Sequence, residues 1–318
     1  MRVLITGAGG FLGRRLTTAL LRRGRLAEAP ITALHLADLS PVAPPARQTL
    51  PVQSEYGDLS DPEFMSHLVR QGFDSIFHLA ASLTLEAERD AEAAFATNIA
   101  PLRRMIAGPG RPRIVFASSI AVFGGKLPET VDDCVRPSPE TTYGTHKAIA
   151  ELLLADHSRR GDIDGRALRL PIVLIRPGAP SPAVSDQVAA ILREPLAGRD
   201  VACLLAPETR MPVASAGAVV AALIRLHDLP AAALPPGRVM NLPALTVSVT
   251  EMVEAVARHA GPEATRHIRF APDAVTQSIV DAWPRRFAST AAEKLEICSD
   301  PDLDTIIAEY LTESADHG

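Results

Sequence analysis

The 318-residue sequence has only three cysteines, one tryptophan and no apolar run of membrane-spanning length. Cys134, Cys203 and Cys298 lie far apart, which argues against a disulfide framework or a zinc site and favours a reducing compartment. The apolar run at residues 1–6 meets glycine too soon to be a signal-peptide core. We therefore expect a soluble, cytoplasmic protein with no bound metal and no membrane partner.

The sequence also lacks a strong excess of charge of either sign. Its formal net charge is −5 and its pI is about 6.0, so electrostatics give no reason to expect binding to nucleic acid. Hydrophobic residues make up 47% of the chain. That content is enough for a sizeable core in one large domain or two modest ones.

Short apolar segments alternate with segments of helical period through the first half of the chain. Strands are predicted at residues 3–6, 31–37, 52–56, 75–79, 114–118 and 167–171, and helices at 11–23, 61–71, 86–107 and 142–160. This alternation predicts βαβ units around a parallel sheet, an α/β fold. After about residue 176 the sequence RPGAPSPAV and shorter elements predict a smaller mixed α/β lobe that binds substrate. The predicted boundary separates 1–175 from 176–318.

A glycine-rich turn joins the first predicted strand to the first helix. The sequence GAGGFLG, from Gly7 to Gly13, would let the backbone approach a pyrophosphate at a helix N-terminus. An ordinary tight turn would also use glycine, but the strand–turn–helix context favours a dinucleotide site. The expected contacts are Gly7, Gly10, Phe11, Leu12 and Gly13.

Residues after the next strands are expected to contact the rest of the dinucleotide. Asp38 ends the second strand, where a carboxylate can bind the adenosine ribose and repel a 2′-phosphate, so NAD is favoured over NADP. A capping or turn aspartate is the alternative. Asp58 and Leu59 are candidate adenine contacts, although Asp58 could also cap a helix. The small apolar residues after the fourth strand suit close cofactor approach or plain strand packing: Leu79, Ala80 and Ala81.

Tyr143 and Lys147 are one helical turn apart and share a helix face. An ammonium group and the positive nicotinamide ring of NAD⁺ would lower the tyrosine pKa and create a general base. A surface lysine beside a partly buried tyrosine is the alternative. Ser119, after the strand at 114–118, is expected to hydrogen-bond the reacting oxygen. Ser118 competes for this role because adjacent strand residues face opposite ways.

These motifs, in this order, resemble the extended short-chain dehydrogenases/reductases. TGAGGFLG, HLAA, SSIAVFGG and YGTHK carry the resemblance over roughly the first half of the chain. It implies a Rossmann fold with a doubly wound parallel sheet, Tyr143 as acid/base, Lys147 bound to the nicotinamide ribose and Ser119 as catalytic serine. It also implies that Asn98, in TNIAP, supports the active site or a proton relay and that Pro171 contacts the cofactor.

A narrower resemblance comes from SSIAVFGGKLPE, TTYGTHKAIAELLLADHSRRGDIDGRALRLPIVLIRPG and REPLAG. These stretches are similar to the sugar-acid dehydrogenases of the family. The likeness implies NAD-dependent oxidation of the C2 hydroxyl of a four-carbon aldonate to a 2-oxo acid. A nucleotide-sugar epimerase or dehydratase with tightly bound NAD is the alternative enzyme. An NAD-sensing regulatory protein is the alternative outside the enzymes.

A small acid substrate needs a cation, preferably an arginine that binds carboxylate through two hydrogen bonds. Arg176 and Arg210 are the candidates, and a surface ion pair is the alternative for each. Ser82 and Thr84 could bind substrate hydroxyls or cap the next helix. Trp283 is expected to be a packing residue. Family members commonly pair as homodimers through two long helices, here 86–107 and 142–160.

Overall fold

The computed structural model describes residues 1–44, 48–177 and 183–315. The predicted proline-rich break after residue 176 lies largely outside the described residues. In chain order the strands are β1 (Arg2–Thr6), β2 (Arg25–Leu26), β3 (Ala29–Pro30), β4 (Ala33–Asp38), β5 (Val52–Tyr56), β6 (Ser75–His78), β7 (Arg113–Ser119), β8 (Thr130–Val131), β9 (Asp164–Leu170), β10 (Ile172–Leu174), β11 (Val201–Cys203), β12 (Arg210–Ser215), β13 (Val239–Asn241), β14 (Leu245–Ser248), β15 (Ile268–Phe270) and β16 (Arg286–Phe287).

The α-helices are α1 (Phe11–Arg23), α2 (Pro62–Arg70), α3 (Thr84–Arg89), α4 (Ala91–Asn98), α5 (Ala100–Ile106), α6 (Thr142–Arg160), α7 (Val184–Leu196), α8 (Ala216–Asp228), α9 (Val249–Ala260), α10 (Ala274–Asp281), α11 (Thr290–Lys294) and α12 (Leu303–Ala315). Short 3₁₀ turns lie at Ile120–Val122, Ala231–Ala233, Pro236–Arg238 and Pro262–His267. Within the three described ranges, no helix combines the length and the apolar character needed to cross a bilayer.

The chain forms two compact units that are interleaved in sequence. The first comprises Met1–Val122, Pro139–Arg169 and Val220–Met240. The second comprises Phe123–Ser138, Leu170–Val219 and Asn241–Gly318, of which 178–182 and 316–318 are not described. The division of roles at residue 175 stays a prediction.

The first unit is built on a seven-stranded sheet in the order β13-β9-β7-β6-β1-β4-β5. Val3 of β1 lies opposite both Leu34 of β4 and Ser75 of β6 in parallel register. After β1 the chain therefore adds β4 and β5 on one side of this strand, and the next strand of the sheet, β6, pairs with the other side of β1. This confirms the predicted doubly wound parallel sheet and places a topological switch point at the carboxyl ends of β1 and β6.

The helix termini follow the local sequence signals. α1 ends at Gly24, whose φ of 65° is in the left-handed region that glycine adopts at little cost. α6 begins after Thr141, whose side chain accepts a hydrogen bond from the Gly144 N–H, and ends at Gly161, with φ of 86°. These signals give α1 and α6 the bounds that the sequence predicted.

The predicted single helix at 86–107 is wrong, because the chain forms α3, α4 and α5 there. Asp90 has an extended conformation (φ −146°, ψ 90°), and its carboxylate accepts a hydrogen bond from the Ala93 N–H at the start of α4. An aspartate that caps the next helix cannot continue the previous one. Pro101, which has no N–H to donate, lies in the first turn of α5.

One hydrophobic core of the first unit lies between the sheet and helices α2, α5 and α6. Strand residues such as Leu4, Ile76 and Phe116 pack there against Leu102 and Leu154 of the helices. Each of these side chains is almost completely buried, and full burial of one such side chain contributes roughly 1.5–3 kcal/mol. This packing fixes α6, with Tyr143 and Lys147, above the sheet.

The second unit contains a three-stranded sheet in the order β10-β12-β14. β10 and β12 are parallel, and β12 and β14 are antiparallel. Helix α7 packs against α9, and the short pairs β11–β15 and β8–β16 complete the unit. The mixed pairing agrees with the predicted mixed α/β lobe.

Candidate active site

The glycine-rich turn brings the end of β1 against the segment that follows β6. Gly7 has a φ of 71°, and a Cβ at this position would lie 2.7 Å from the backbone nitrogen of Ala80. A Cβ at Gly10 would lie 3.2 Å from the Gly7 carbonyl oxygen, and one at Gly13 would collide with the backbone of Gly7 and Ala8. Close backbone approach therefore requires glycine at positions 7 and 13, whereas a side chain at position 10 would make a tight contact.

The turn leads directly into an uncapped helix N-terminus. Its N-cap residue, Gly10, has no side chain to cap α1, and the first turn of the helix contains no acidic residue. The first N–H groups of a helix have no intrahelical partner, so they and the helix dipole favour an anion. The residues at this end, from Gly10 through Phe11 and Leu12 to Gly13, fit the pyrophosphate of a dinucleotide.

Asp38, at the end of β4, is hydrogen-bonded to the glycine-rich turn. Its Oδ2 accepts a hydrogen bond from the Gly9 N–H at 2.9 Å, and its Oδ1 accepts one from the Ser40 N–H at 3.3 Å. A Cβ at Gly9 would lie 3.1 Å from the Asp38 carboxyl carbon. Gly9 was missed among the predicted site residues, although it stands inside the glycine run.

Asp58 forms a turn, and its proposed alternative role as a helix cap is wrong. Its carboxylate accepts a hydrogen bond from the Ser60 N–H, whereas Asp61 caps α2 by accepting from the Glu63 N–H. The Leu59 side chain is buried in the core. Contact of Asp58 and Leu59 with adenine stays a prediction. The residues after β6 are half-buried, and their contact with the cofactor also stays a prediction: Leu79, Ala80 and Ala81.

Ser119, Tyr143 and Lys147 come together at the carboxyl end of β7. Ser119 hydrogen-bonds the Tyr143 hydroxyl, while the Ser119 Oγ accepts from the Ala121 N–H at 3.1 Å. The Lys147 Nζ donates to the Ala117 carbonyl oxygen at 2.7 Å and lies 5.4 Å from the centre of the Tyr143 ring. The predicted tyrosine, lysine and serine are therefore neighbours in the first unit.

Burial controls the electrostatics of these groups. Desolvation raises the pKa of Tyr143 to about 12, and the hydrogen bond with Ser119 offsets part of this rise. Desolvation lowers the pKa of Lys147 to about 7, against the opposing charge of Glu151. In the protein without cofactor the tyrosine pKa is thus raised, not lowered, because burial outweighs the hydrogen bond with Ser119.

Ser118 and Ser119 point to different partners, as adjacent strand residues do. The buried Ser118 hydroxyl donates to the Glu151 carboxylate at 2.6 Å, and Arg169 of β9 binds the two oxygens of Glu151 at 2.9 and 2.8 Å. Ser119 alone of the two serines contacts Tyr143. Glu151 and Arg169 were missed in the sequence, although Glu151 stands one helical turn after Lys147.

Asn98 joins the end of α4 to the segment after β6. Its Oδ1 accepts from the Ser82 N–H at 2.8 Å, and its Nδ2 donates to the Ser82 carbonyl oxygen at 3.1 Å. The Asn98 Nδ2 also lies 3.3 Å from the His146 Nδ1. The Ser82 hydroxyl donates to the Glu86 carboxylate at 3.2 Å, but Leu83 is the N-cap residue of α3, so the predicted alternative in which Ser82 caps this helix is wrong.

The remaining predicted residues belong to the second unit. Pro171 is buried between β9 and β10. The Arg176 Nε lies 3.3 Å from the buried Asp186 carboxylate, which also binds the buried Arg193 at 2.8 Å. Arg210 lies 3.3 Å from Glu251, and the Arg210 side chain is 51% exposed.

Arg210 also lines a cavity of about 450 Å³ within the second unit. Arg286 is a second cation in its wall, and Thr130 and Thr246 contribute side chains that can form hydrogen bonds. Pro243 and Phe287 supply apolar surface. The wall thus holds two arginines and one carboxylate, that of Glu293, beside apolar surface, and such a mixture of polar groups and apolar walls is typical of small-molecule sites.

Comparison with known proteins identifies the family. The model of the NAD dependent epimerase/dehydratase family matches residues 3–242. D-erythronate dehydrogenase from Cupriavidus necator is 39% identical over 99% of both chains, and that from Haemophilus influenzae is 37% identical over 98% of this chain and 99% of the relative.

A solved structure of the nucleoside-diphosphate-sugar epimerase from Agrobacterium tumefaciens superposes with a TM-score of 0.92. It is 36% identical to this protein and covers 96% of this chain and 92% of its own. The family match spans the glycine turn, Asp38, Ser119, Tyr143 and Lys147 and confirms the resemblance read from those motifs. The chain belongs to the NAD dependent epimerase/dehydratase family.

Proposed function

We propose that this protein oxidises the C2 hydroxyl of D-erythronate, or of a closely related short sugar acid, to the 2-oxo acid with NAD⁺. The observation that carries the proposal is the hydrogen-bonded pair Ser119–Tyr143 with Lys147 beside it, in a protein whose glycine turn fits a dinucleotide. The full-length likeness to two D-erythronate dehydrogenases supports the choice of substrate.

When bound, NAD⁺ supplies the acceptor for the hydride that leaves C2. Tyr143 acts as the base that takes the proton from the substrate hydroxyl. Ser119 donates a hydrogen bond to the same oxygen: its Oγ keeps accepting from the Ala121 N–H, and the hydrogen that it gives to Tyr143 in the protein without substrate turns to the substrate oxygen. Lys147 holds positive charge beside Tyr143 and so favours the phenolate.

The proposal is tested with purified protein, NAD⁺ and a panel of aldonates with three to six carbons. Reduced-nicotinamide absorbance with D-erythronate, and much less with the longer acids, would support it. The likeness to the nucleoside-diphosphate-sugar epimerase favours one other function. Silence across the panel, with NAD released only on denaturation and turnover of a nucleotide sugar, would replace the dehydrogenase proposal with an epimerase.

We propose that Asp38 selects NAD over NADP. Asp38→Asn keeps an oxygen that can accept from the Gly9 N–H but removes the charge that repels a 2′-phosphate. A hydrogen bond to a charged group contributes roughly 1.5–3 kcal/mol, so the ratio of kcat/KM for NAD⁺ to that for NADP⁺ should fall at least about tenfold. Steady-state kinetics with both cofactors measure this ratio, and Asp61→Asn, at the cap of α2, is the matched control. An unchanged ratio in Asp38→Asn would remove Asp38 from selection.

We propose that Arg210, not Arg176, binds the substrate carboxylate. Arg176 contacts a buried aspartate, whereas Arg210 pairs with a half-exposed glutamate and lines a cavity. Loss of a bidentate charged contact costs roughly 2–3 kcal/mol, so Arg210→Met should raise KM for the acid about 30- to 160-fold at constant KM for NAD⁺. Arg176→Met should change KM less than about threefold. The opposite ranking would assign the carboxylate to Arg176.

We propose that the protein is a homodimer that pairs through α4 and α6. Leu152 of α6 is 72% exposed and Phe95 of α4 is 40% exposed, an apolar surface that a partner chain would cover. Light scattering should give twice the chain mass. Leu152→Glu should lower it to the single-chain mass, whereas Val275→Glu, at an exposed position of the second unit, should not. A single-chain mass for the unchanged protein would refute the dimer.

We propose a cytoplasmic location. Cys134 and Cys298 are free and exposed thiols, which a reducing compartment would keep reduced. Fractionation of the source cells with detection of the protein in the soluble cytoplasmic fraction tests this location, and its recovery from an oxidising compartment would refute it.

A further inference from the structure

The Asn98 amide can have only one orientation. Its Oδ1 lies 2.8 Å from the Ser82 N–H, and its Nδ2 lies 3.1 Å from the Ser82 carbonyl oxygen. If the amide oxygen and nitrogen of Asn98 were exchanged, its NH₂ group would face the Ser82 N–H, which is also a donor. Its oxygen would face the Ser82 carbonyl oxygen, which is also an acceptor. The Nδ2 group must therefore be the atom that lies 3.3 Å from the His146 Nδ1.

This orientation determines the protonation of His146. One Nδ2 hydrogen goes to the Ser82 carbonyl oxygen, so the second is directed to His146, and the His146 Nδ1 can only accept. His146 must then be neutral and carry its proton on Nε2. Burial lowers the pKa of His146 below its usual value, which agrees with a neutral ring at neutral pH.

Packing holds the imidazole ring in this position. The ring is almost completely buried, and Phe95 contacts it edge-on, with 5.6 Å between ring centres and an angle of 79°. His146 stands between Tyr143 and Lys147 on the same helix. The contact His146–Asn98–Ser82 therefore links α6, α4 and the segment after β6.

We propose that His146 is a positioning residue: its Nδ1 accepts the second amide hydrogen of Asn98 and so fixes the clamp that Asn98 forms on Ser82. The clamp holds the backbone at Ser82, two residues after Ala80, which lies against Gly7 of the dinucleotide turn. His146 would thereby order one wall of the cofactor site without touching the cofactor. The inference rests on NAD binding at this turn and is independent of the sugar acid in the proposed function.

The test uses three substitutions that differ in where they place an acceptor. Asparagine at 146 puts its Oδ1 where the histidine has Nδ1, glutamine puts its acceptor near the position of Nε2, and leucine has none. A neutral hydrogen bond contributes roughly 0.5–1.5 kcal/mol. His146→Leu and His146→Gln should therefore raise the Kd for NADH up to about tenfold, and His146→Asn should stay within about twofold of the unchanged protein.

The NADH titrations are made without substrate and combined with Asn98→Ala. If His146 acts through Asn98, His146→Leu should not weaken NADH binding any further in a protein that already carries Asn98→Ala. Equal losses in both backgrounds, or failure of His146→Asn to restore binding, would overturn the proposal. Silence with D-erythronate alongside the expected NADH results would refute only the proposed function.

A spectroscopic measurement reads the tautomer of His146 directly in the unchanged protein, and a variant serves only to assign the signals. The ¹⁵N shifts of the His146 ring, assigned by comparison with His146→Asn, should show an unprotonated Nδ1 and a protonated Nε2. A protonated Nδ1 would exclude it as the acceptor for Asn98 and end the proposal.

Discussion

Tyr143→Phe is expected to lower kcat for oxidation of the sugar acid by about 10³-fold and to leave the Kd for NAD⁺ nearly unchanged. A positioned acid/base group contributes roughly 10²- to 10⁴-fold, and phenylalanine removes the hydroxyl while it keeps the ring beside Lys147. Steady-state kinetics and a cofactor titration measure the two effects. A loss of binding equal to the loss of rate would mean that Tyr143 binds the cofactor and is not the base.

The pH dependence distinguishes a base from a binding group. In the protein without cofactor the pKa of Tyr143 is raised to about 12, so the phenolate fraction increases with pH across the neutral range. kcat/KM of the unchanged protein should therefore rise with pH, whereas the residual rate of Tyr143→Phe should not. Tyr56→Phe is the matched control because Tyr56 is 68% exposed, and its profile should match that of the unchanged protein. A rising limb that survives in Tyr143→Phe would assign the titration to another group.

Local signals predicted the parts of the fold that depend on neighbouring residues. The bounds of α1 and α6 follow from their terminal glycines, and the turn at Gly7 follows from its glycine run. The helix at 86–107 was predicted wrongly because its apolar periodicity continues through Asp90. The helix is broken by the capping hydrogen bond that the Asp90 carboxylate accepts from the Ala93 N–H. The capped conformation and the continuous helix differ by only a small free energy.

Site residues that belong to one local motif could be predicted from the sequence. Contacts between segments that are distant in the sequence could not. Spacing placed Tyr143 and Lys147 on one helix face. The contacts of His146 with Asn98 and of Glu151 with Arg169 join residues 48 and 18 positions apart, so no local pattern encodes them. The sign of the Tyr143 pKa shift was also out of reach, because it depends on burial that only the packed structure defines.

Glu151→Leu is expected to lower the free energy of unfolding by about 3–5 kcal/mol. Glu151 is 4% exposed and Arg169 is 6% exposed, and removal of one member of a buried ion pair leaves the other charge in a medium of low polarity. Urea denaturation measures the change. Arg159→Leu on the exposed side of α6 is the control, because its ion pair with Asp156 lies at the surface and should contribute less than about 1 kcal/mol.

The double variant Glu151→Leu/Arg169→Leu separates the ion pair from packing. Replacement of both charges by apolar side chains is often close to neutral, so the double variant should recover most of the stability that Glu151→Leu loses. A double variant as unstable as the sum of the two single variants would show that the two residues contribute independently. The large cost would then belong to other contacts, such as the hydrogen bond from Ser118 to Glu151.

The same carboxylate should affect catalysis through Lys147. The Glu151 charge raises the pKa of Lys147 against the larger effect of burial, so Glu151→Gln should lower that pKa further below about 7. Lys147 is protonated below its pKa, and the variant should therefore lose its ammonium at lower pH than the unchanged protein. Its kcat relative to the unchanged protein should fall between about pH 6 and about pH 8. A ratio constant over this range would show that Glu151 stabilises the fold without tuning Lys147.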